Sequence, residues 1–102
     1  MILNIEEKHL VIVNNILKKY DYSFFVFGSR ITAKVKKLSD LDLLYFDNIP
    51  TGEIIKLEEE FEESDLPYKV DLVNYNQCDE DFKKTIGKNY LCLQNSSRMS
   101  RI

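Results

Sequence analysis

At 102 residues the chain has room for one domain, and 44% hydrophobic content with six Phe and six Tyr is enough for one modest core. Charged residues make up 30%, and no apolar run approaches the ~20 residues that a membrane span needs. The net charge of -3 weighs against gripping a long nucleic acid by counterion release, which needs many clustered Lys and Arg. In chain order, Leu10, Val13, Leu17 and Tyr20 recur at helical spacing and predict a first helix. Asn4 is its candidate cap, Glu6 and Glu7 fall in its first turn, and Lys18 and Lys19 in its last. Tyr22 to Phe27 is a dense aromatic and β-branched run ending at Gly28, as a strand buried on both faces would be. A brief helix through Ala33 and Val35 follows, then a second strand over Leu41 to Phe46. Asn48 to Gly52 reads as a turn, and residues 53 to 64 as a long helix with Ile54, Leu57 and Phe61 on one face. After Pro67 a third strand runs from Tyr68 to Tyr75. Asp79 caps a last helix carrying Phe82 and Ile86 and ended by Gly87, with Tyr90 to Leu93 as a short strand.

The alternation of helices and strands predicts an α/β domain, helices packed on a small sheet, over residues 1–93. The polar tail, 94–102, is expected to be frayed. The opening residues lack the basic flank and long apolar stretch of a signal peptide, so a cytoplasmic protein is expected. Cys78 and Cys92 form no Cys-x-x-Cys pair and His9 is the single histidine, so a thiolate or imidazole zinc site is hard to assemble. Two reduced, structural cysteines and a solvated or capping His9 are the expectation. The segment from Glu53 to Asp65 carries seven acidic side chains and one lysine, a solvated helix face on the plainest reading. Arg30, Lys34, Lys36 and Lys37 form a short basic stretch that is either solvated or placed to help hold a triphosphate.

Three features acquire meaning together. Gly28 and Ser29 end the first strand, Asp40 and Asp42 open the second, and Asp71 interrupts the apolar third. Two acids two residues apart on a strand face the same way, about 6.6 Å apart. At an effective dielectric near 20 their repulsion is about 2.5 kcal/mol, which a divalent cation would reverse in sign. Magnesium prefers hard oxygen donors and is usually held by one or two carboxylates plus substrate phosphates. An unpaired acid inside a strand is costly, so Asp71 needs a reason too. If its strand lies beside that of Asp42, three carboxylates can support two ions, a clamp on attacking and leaving oxygens. Glycine lets the backbone approach a phosphate closely, Ser29 adds a hydroxyl donor, and a following helix would add unpaired N–H groups. Gly-Ser alone is commonly a turn and a lone Asp-x-Asp a capping feature; the five positions in this order are far more specific.

Gly28-Ser29-Arg30, Ser39-Asp40-Leu41-Asp42-Leu43 and Val70-Asp71-Leu72 together resemble the DNA polymerase β-like nucleotidyltransferase superfamily, and within it the minimal nucleotidyltransferases of bacteria and archaea. The resemblance runs from about Phe25 to Leu93 and implies that family's small mixed sheet packed with helices. It implies that Asp40 and Asp42 hold the nucleotide-bound magnesium ion and that Asp71 holds the ion activating the acceptor hydroxyl. Gly28, Ser29 and Arg30 would bind the triphosphate of ATP. The family often continues with a further Arg and Gly, where this chain has Thr32 and Ala33, so phosphate contact from a second arginine is not implied. Such proteins commonly pair with an all-helical HEPN ribonuclease toxin and act as antitoxin by adding AMP to it, commonly on a tyrosine. Alternatives are an antibiotic-type small-molecule nucleotidyltransferase completed by dimerisation, and a non-catalytic antitoxin that works by binding. Because a ligand site normally buries 70 to 90% of its ligand, a domain this small needs another chain or a second copy to close the acceptor side.

Overall fold

A computed structural model describes residues 2–97. It contains α1 (Glu7–Leu17), β1 (Phe24–Phe27), β2 (Leu41–Tyr45), α2 (Thr51–Glu63), β3 (Val70–Asn74), α3 (Glu80–Ile86) and β4 (Leu91–Gln94). The strands form one mixed sheet in the order β3-β2-β1-β4. β1 runs antiparallel to β2 and to β4, whereas β2 and β3 are parallel. A parallel pair needs a crossover, and α2 supplies it.

Alternation along the strands divides the core. Phe24 and Val26 of β1 and Leu41, Leu43 and Tyr45 of β2 face α1 and α2, where Val13, Leu17, Leu57 and Phe61 meet them. Each fully buried Leu or Phe there contributes about 1.5–3 kcal/mol. Phe27 and Leu44 point the other way and pack with Ile86 of α3, flanked by Phe25, Phe46 and Val73. Helices cover both faces, which is why the central strands read as nearly continuous apolar runs. Asp42 shares the α3 face with Leu44, and Asp71 shares it with Val73.

Local signals hold well at α3. The Asp79 carboxylate accepts a hydrogen bond from Phe82 N at 2.7 Å, and Gly87 leaves the helix at φ 55°. Elsewhere the structure departs from expectation. Asn4 does not cap α1: Glu6 occupies that place with no side-chain bond, and Asn4 Nδ2 donates instead to Thr32 O at 3.0 Å. Thr51 and Gly52, expected in a turn, already belong to α2. No helix forms through Ala33 and Val35; a single 3-10 turn, Gly28–Ile31, is followed by irregular chain to Asp40. The β-branched Thr32 and Val35 disfavour a helix there, and Arg30 binds the carbonyls of Lys37 and Ser39 instead.

Residues 94 to 97 are held rather than frayed. Gln94 Nε2 donates to the carbonyls of Leu17, Tyr20 and Tyr22 at 2.9–3.0 Å, tying the sheet edge to the end of α1. Ser97 N and Oγ donate to the Asp21 carboxylate at 2.7 and 2.6 Å. The rest of the expected tail, 98–102, lies outside the described residues. Cys78 and Cys92 are both free, and His9 sets its ring edge against Tyr68 with centroids 5.5 Å apart. Among the described residues no helix is long and apolar enough to cross a membrane.

Candidate active site

Asp42 and Asp71 are directly paired in register across β2 and β3. On its other side Asp42 is opposite Phe27, the last residue of β1 before Gly28. The Asp71, Asp42 and Phe27 positions therefore cross three adjacent strands on one face and at one end of the sheet.

Burial of Asp42 pushes its carboxyl up to about 6, with the negative charges of Asp71 and Asp40 adding to the effect and Lys69 opposing it. Asp40, expected on the same strand as Asp42, instead precedes β2 and is exposed. Its charge nevertheless acts on Asp42, so the structure gathers all three acids electrostatically while pairing only two by backbone register. Among the described residues no group of three or more His, Cys, Asp or Glu side chains is placed to hold a metal ion, so Asp40 does not join Asp42 and Asp71 as a ready-made three-carboxylate site.

Gly28 meets two demands at once. Its φ is 77°, a left-handed conformation that costs an L side chain roughly 1–2 kcal/mol. A Cβ added there would lie 2.5 Å from Oδ2 of Asp42. The phosphate-loop candidate and the acid candidate thus touch. Ser29 is half-buried in the same turn, and its carbonyl accepts from Thr32 N at 3.1 Å. The anticipated helix dipole is missing here, since only the four-residue turn follows.

Arg30, placed by resemblance among the nucleotide ligands, is turned into the domain and is 5% exposed. Its Nε and Nη2 donate to Ser39 O at 3.2 and 2.5 Å, Nη2 also to Lys37 O at 3.4 Å, and Nη1 to Asn4 O at 3.2 Å. The guanidinium carbon lies 4.0 Å from the centre of the Tyr68 ring. A guanidinium so used is not facing the phosphate loop. It fixes the carbonyl of the residue before Asp40 and links the Gly28 turn to the approach of β3. Lys36 and Lys37 border a groove lined by Asn4, His9 and Arg30, and that lining contains none of the three acids.

Lys69 is the site residue that sequence reasoning missed. Its Nζ lies 3.2 Å from Asp71 Oδ1, and the hydrogen bond and charge of Asp71, then the charges of Asp40 and Asp42, raise its pKa. Lys69 and Asp71 are two apart, the spacing that puts side chains on one face of an extended chain, so the signal was present. A cation already sits against these carboxylates. Asp71 also lines a cleft of about 420 Å³ at the β3 edge, with Tyr68, Lys69 and Phe61.

The sequence matches the polymerase beta nucleotidyltransferase family over residues 12–98. It is 40% identical to the probable protein adenylyltransferase MntA of Haemophilus influenzae, over 94% of this chain and 88% of that protein. In fold it is similar to a toxin–antitoxin crystallised with AMP-PNP: TM-score 0.62 and 18% identity, over 88% of this chain and 76% of that one. A crystal structure of the toxin–antitoxin MntA–HepT matches with TM-score 0.57 and 16% identity, over 92% and 76% of the respective chains. The family match covers most of the chain and the mixed sheet accords with it, and the chain belongs to the polymerase beta nucleotidyltransferase family.

Proposed function

We propose that the chain is a metal-dependent protein adenylyltransferase that moves AMP from ATP to a tyrosine hydroxyl on a partner HEPN-type ribonuclease toxin, acting as the antitoxin. The observation that carries this reading is the in-register pairing of Asp42 with Asp71 beside Gly28. The MntA relative is named a protein adenylyltransferase, and the structural neighbours are toxin–antitoxin proteins, one with AMP-PNP. Two free cysteines accord with a cytoplasmic setting.

The residues fit a hard divalent cation such as magnesium. Asp42 and Asp71 are half-buried oxygen donors, and burial first, then the charge of Asp71, makes Asp42 hold its proton unusually well. Magnesium is usually held by one or two carboxylates, with substrate phosphate oxygens completing its shell. When bound, two such ions supply charge neutralisation at the phosphates and acidify the acceptor hydroxyl. Asp40 and Asp42 hold the nucleotide side, Asp71 the acceptor side, and Gly28 with Ser29 receives the triphosphate. The acceptor hydroxyl gives up its proton to solvent water and its oxygen bonds to the α-phosphorus, as the bond between that phosphorus and its bridging oxygen breaks and pyrophosphate leaves. The open cleft beside Asp71 leaves room for the acceptor to arrive on another protein's surface. Arg30 acts at a distance, by holding Ser39 and so Asp40 in place.

The test is incubation with magnesium and α-labelled ATP, with and without the partner toxin. Label on the toxin, lost in Asp42→Ala, is the expected result. Tight binding of the toxin without label would replace the enzyme by an antitoxin that acts through contact alone.

A further inference from the structure

Arg30 carries a positive charge that the fold buries without neutralising. It is 5% exposed, yet among the described residues it forms no ion pair with any carboxylate. Its partners are the carbonyls of Asn4, Lys37 and Ser39 and the face of the Tyr68 ring, all of them neutral. Buried charges are ordinarily paired, because a lone one forfeits its hydration. A guanidinium has five N–H donors, and the four bonds made here leave one, on Nη1, with no acceptor among the described residues.

The same guanidinium lines a groove of about 460 Å³ between the segment leading into α1 and the loop before β2. Lys36 and Lys37 line it too, both exposed and neither in a salt bridge among the described residues. Glu6 also borders the groove, and its carboxylate lies 3.7 Å from Lys8 Nζ. Three cationic side chains therefore face one carboxylate, an excess that suits a phosphate dianion better than a carboxylate ligand. Neither Gly28 nor Ser29 nor any of the three acids lines the groove, so it stands apart from the nucleotide site. We propose that it is a second anion site, taking a small phosphate-bearing anion through Lys36, Lys37 and the unused Nη1 donor of Arg30. Because Arg30 also binds the carbonyls of Lys37 and Ser39, an anion there steadies the turn that leads into Asp40.

The test is an isotope-edited NMR titration of the full chain with inorganic phosphate and with pyrophosphate, without magnesium and at ionic strength held constant with chloride. Saturable shifts are expected at the Arg30 Nε–H and at the Lys36 and Lys37 amides. Hydrogen exchange should slow at the Ser39 amide, which bonds to Lys36 O. Tighter binding of pyrophosphate than of phosphate would assign the groove to the released product; the reverse order would assign it to free phosphate. The double variant Lys36→Gln, Lys37→Gln changes exposed positions, so it should melt like the parent and bind about tenfold more weakly, as loss of a charge-assisted hydrogen bond predicts. Lys34→Gln, in the same loop but outside the lining, should alter affinity less than about twofold. Absence of saturable shifts with both anions overturns the site. So does weakening by Lys34→Gln as large as that of the double variant, the mark of diffuse attraction to a basic loop. Shifts confined to Gly28 and Ser29 would put the anion in the nucleotide site and overturn the proposal as well. None of these results touches the nucleotide-transfer reading, which the labelling experiment decides.

Discussion

Gly28 and Asp42 are in such close approach that a Cβ at residue 28 would stand 2.5 Å from the Asp42 carboxylate oxygen. The nearest obstacle is the far end of a side chain, which can swing aside, whereas the positive φ cannot be relieved so simply. Gly28→Ala is therefore expected to fold, at a cost of roughly 1–2 kcal/mol, but with the carboxylate displaced from its place opposite Asp71. Adenylyl transfer should fall by far more than the melting temperature implies. Transfer retained in proportion to stability would show that the close approach has no functional meaning.

Asp42 destabilises the metal-free fold above its pKa. Its folded pKa is raised from 3.8 to about 6, so between those values the folded protein keeps a proton that the unfolded chain has lost. Stability from this group falls as pH rises through that window and stays low above it. Solvent screening at a half-exposed carboxyl holds the loss to about 1 kcal/mol. Asp42→Asn should melt at the parent's temperature near pH 4 and several degrees higher near pH 7. Magnesium should narrow that gap by stabilising the parent alone. A gap of equal size at both pH values would contradict the assignment.

Arg30→Lys keeps the charge but loses the planar fork and the ring stacking. The expected cost is about 2 kcal/mol, in line with buried hydrogen bonds from a charged donor. A purely structural arginine would change the melting point and nothing else. If it positions Asp40, the magnesium concentration for half-maximal transfer should rise several-fold at temperatures where the variant is fully folded.

Lys69 lowers the pKa of Asp42 by its charge. Its removal in Lys69→Gln should shift the acid limb of the pH–activity profile upward, by a few tenths of a unit because the lysine is exposed. A shift to lower pH would mean that the Asp42 carboxylate is not the group being titrated.

Much of this site was legible because its signals are local. The acids at 40, 42 and 71, the Gly-Ser turn and the alternation that puts Asp42 and Asp71 on one face follow from spacing along extended chain. The same holds for Asp79 and Gly87 at the ends of α3. What was not legible depends on partners distant in sequence. The loop from Thr32 to Ser39 is held by Arg30 and Asn4 instead of its own helical bonds, so a helical pattern there misled. Gln94 appears as polar tail until its three acceptors at the end of α1 are seen. Arg30 followed a phosphate-binding motif, yet burial directs its guanidinium to backbone carbonyls. The groove at Lys36 and Lys37 is formed only when the segment before α1 packs against Arg30, which no short motif encodes.

The central claim is that the side chains at 42 and 71 jointly hold a metal-bound nucleotide against Gly28. A crystal grown with manganese and a non-hydrolysable ATP analogue, with anomalous scattering recorded, tests it most directly. The expected map has manganese bonded to Asp42 and to Asp71, with phosphate oxygens on the same ions and packed on the Gly28 turn. Manganese bound elsewhere, with neither carboxylate as ligand, would contradict the account.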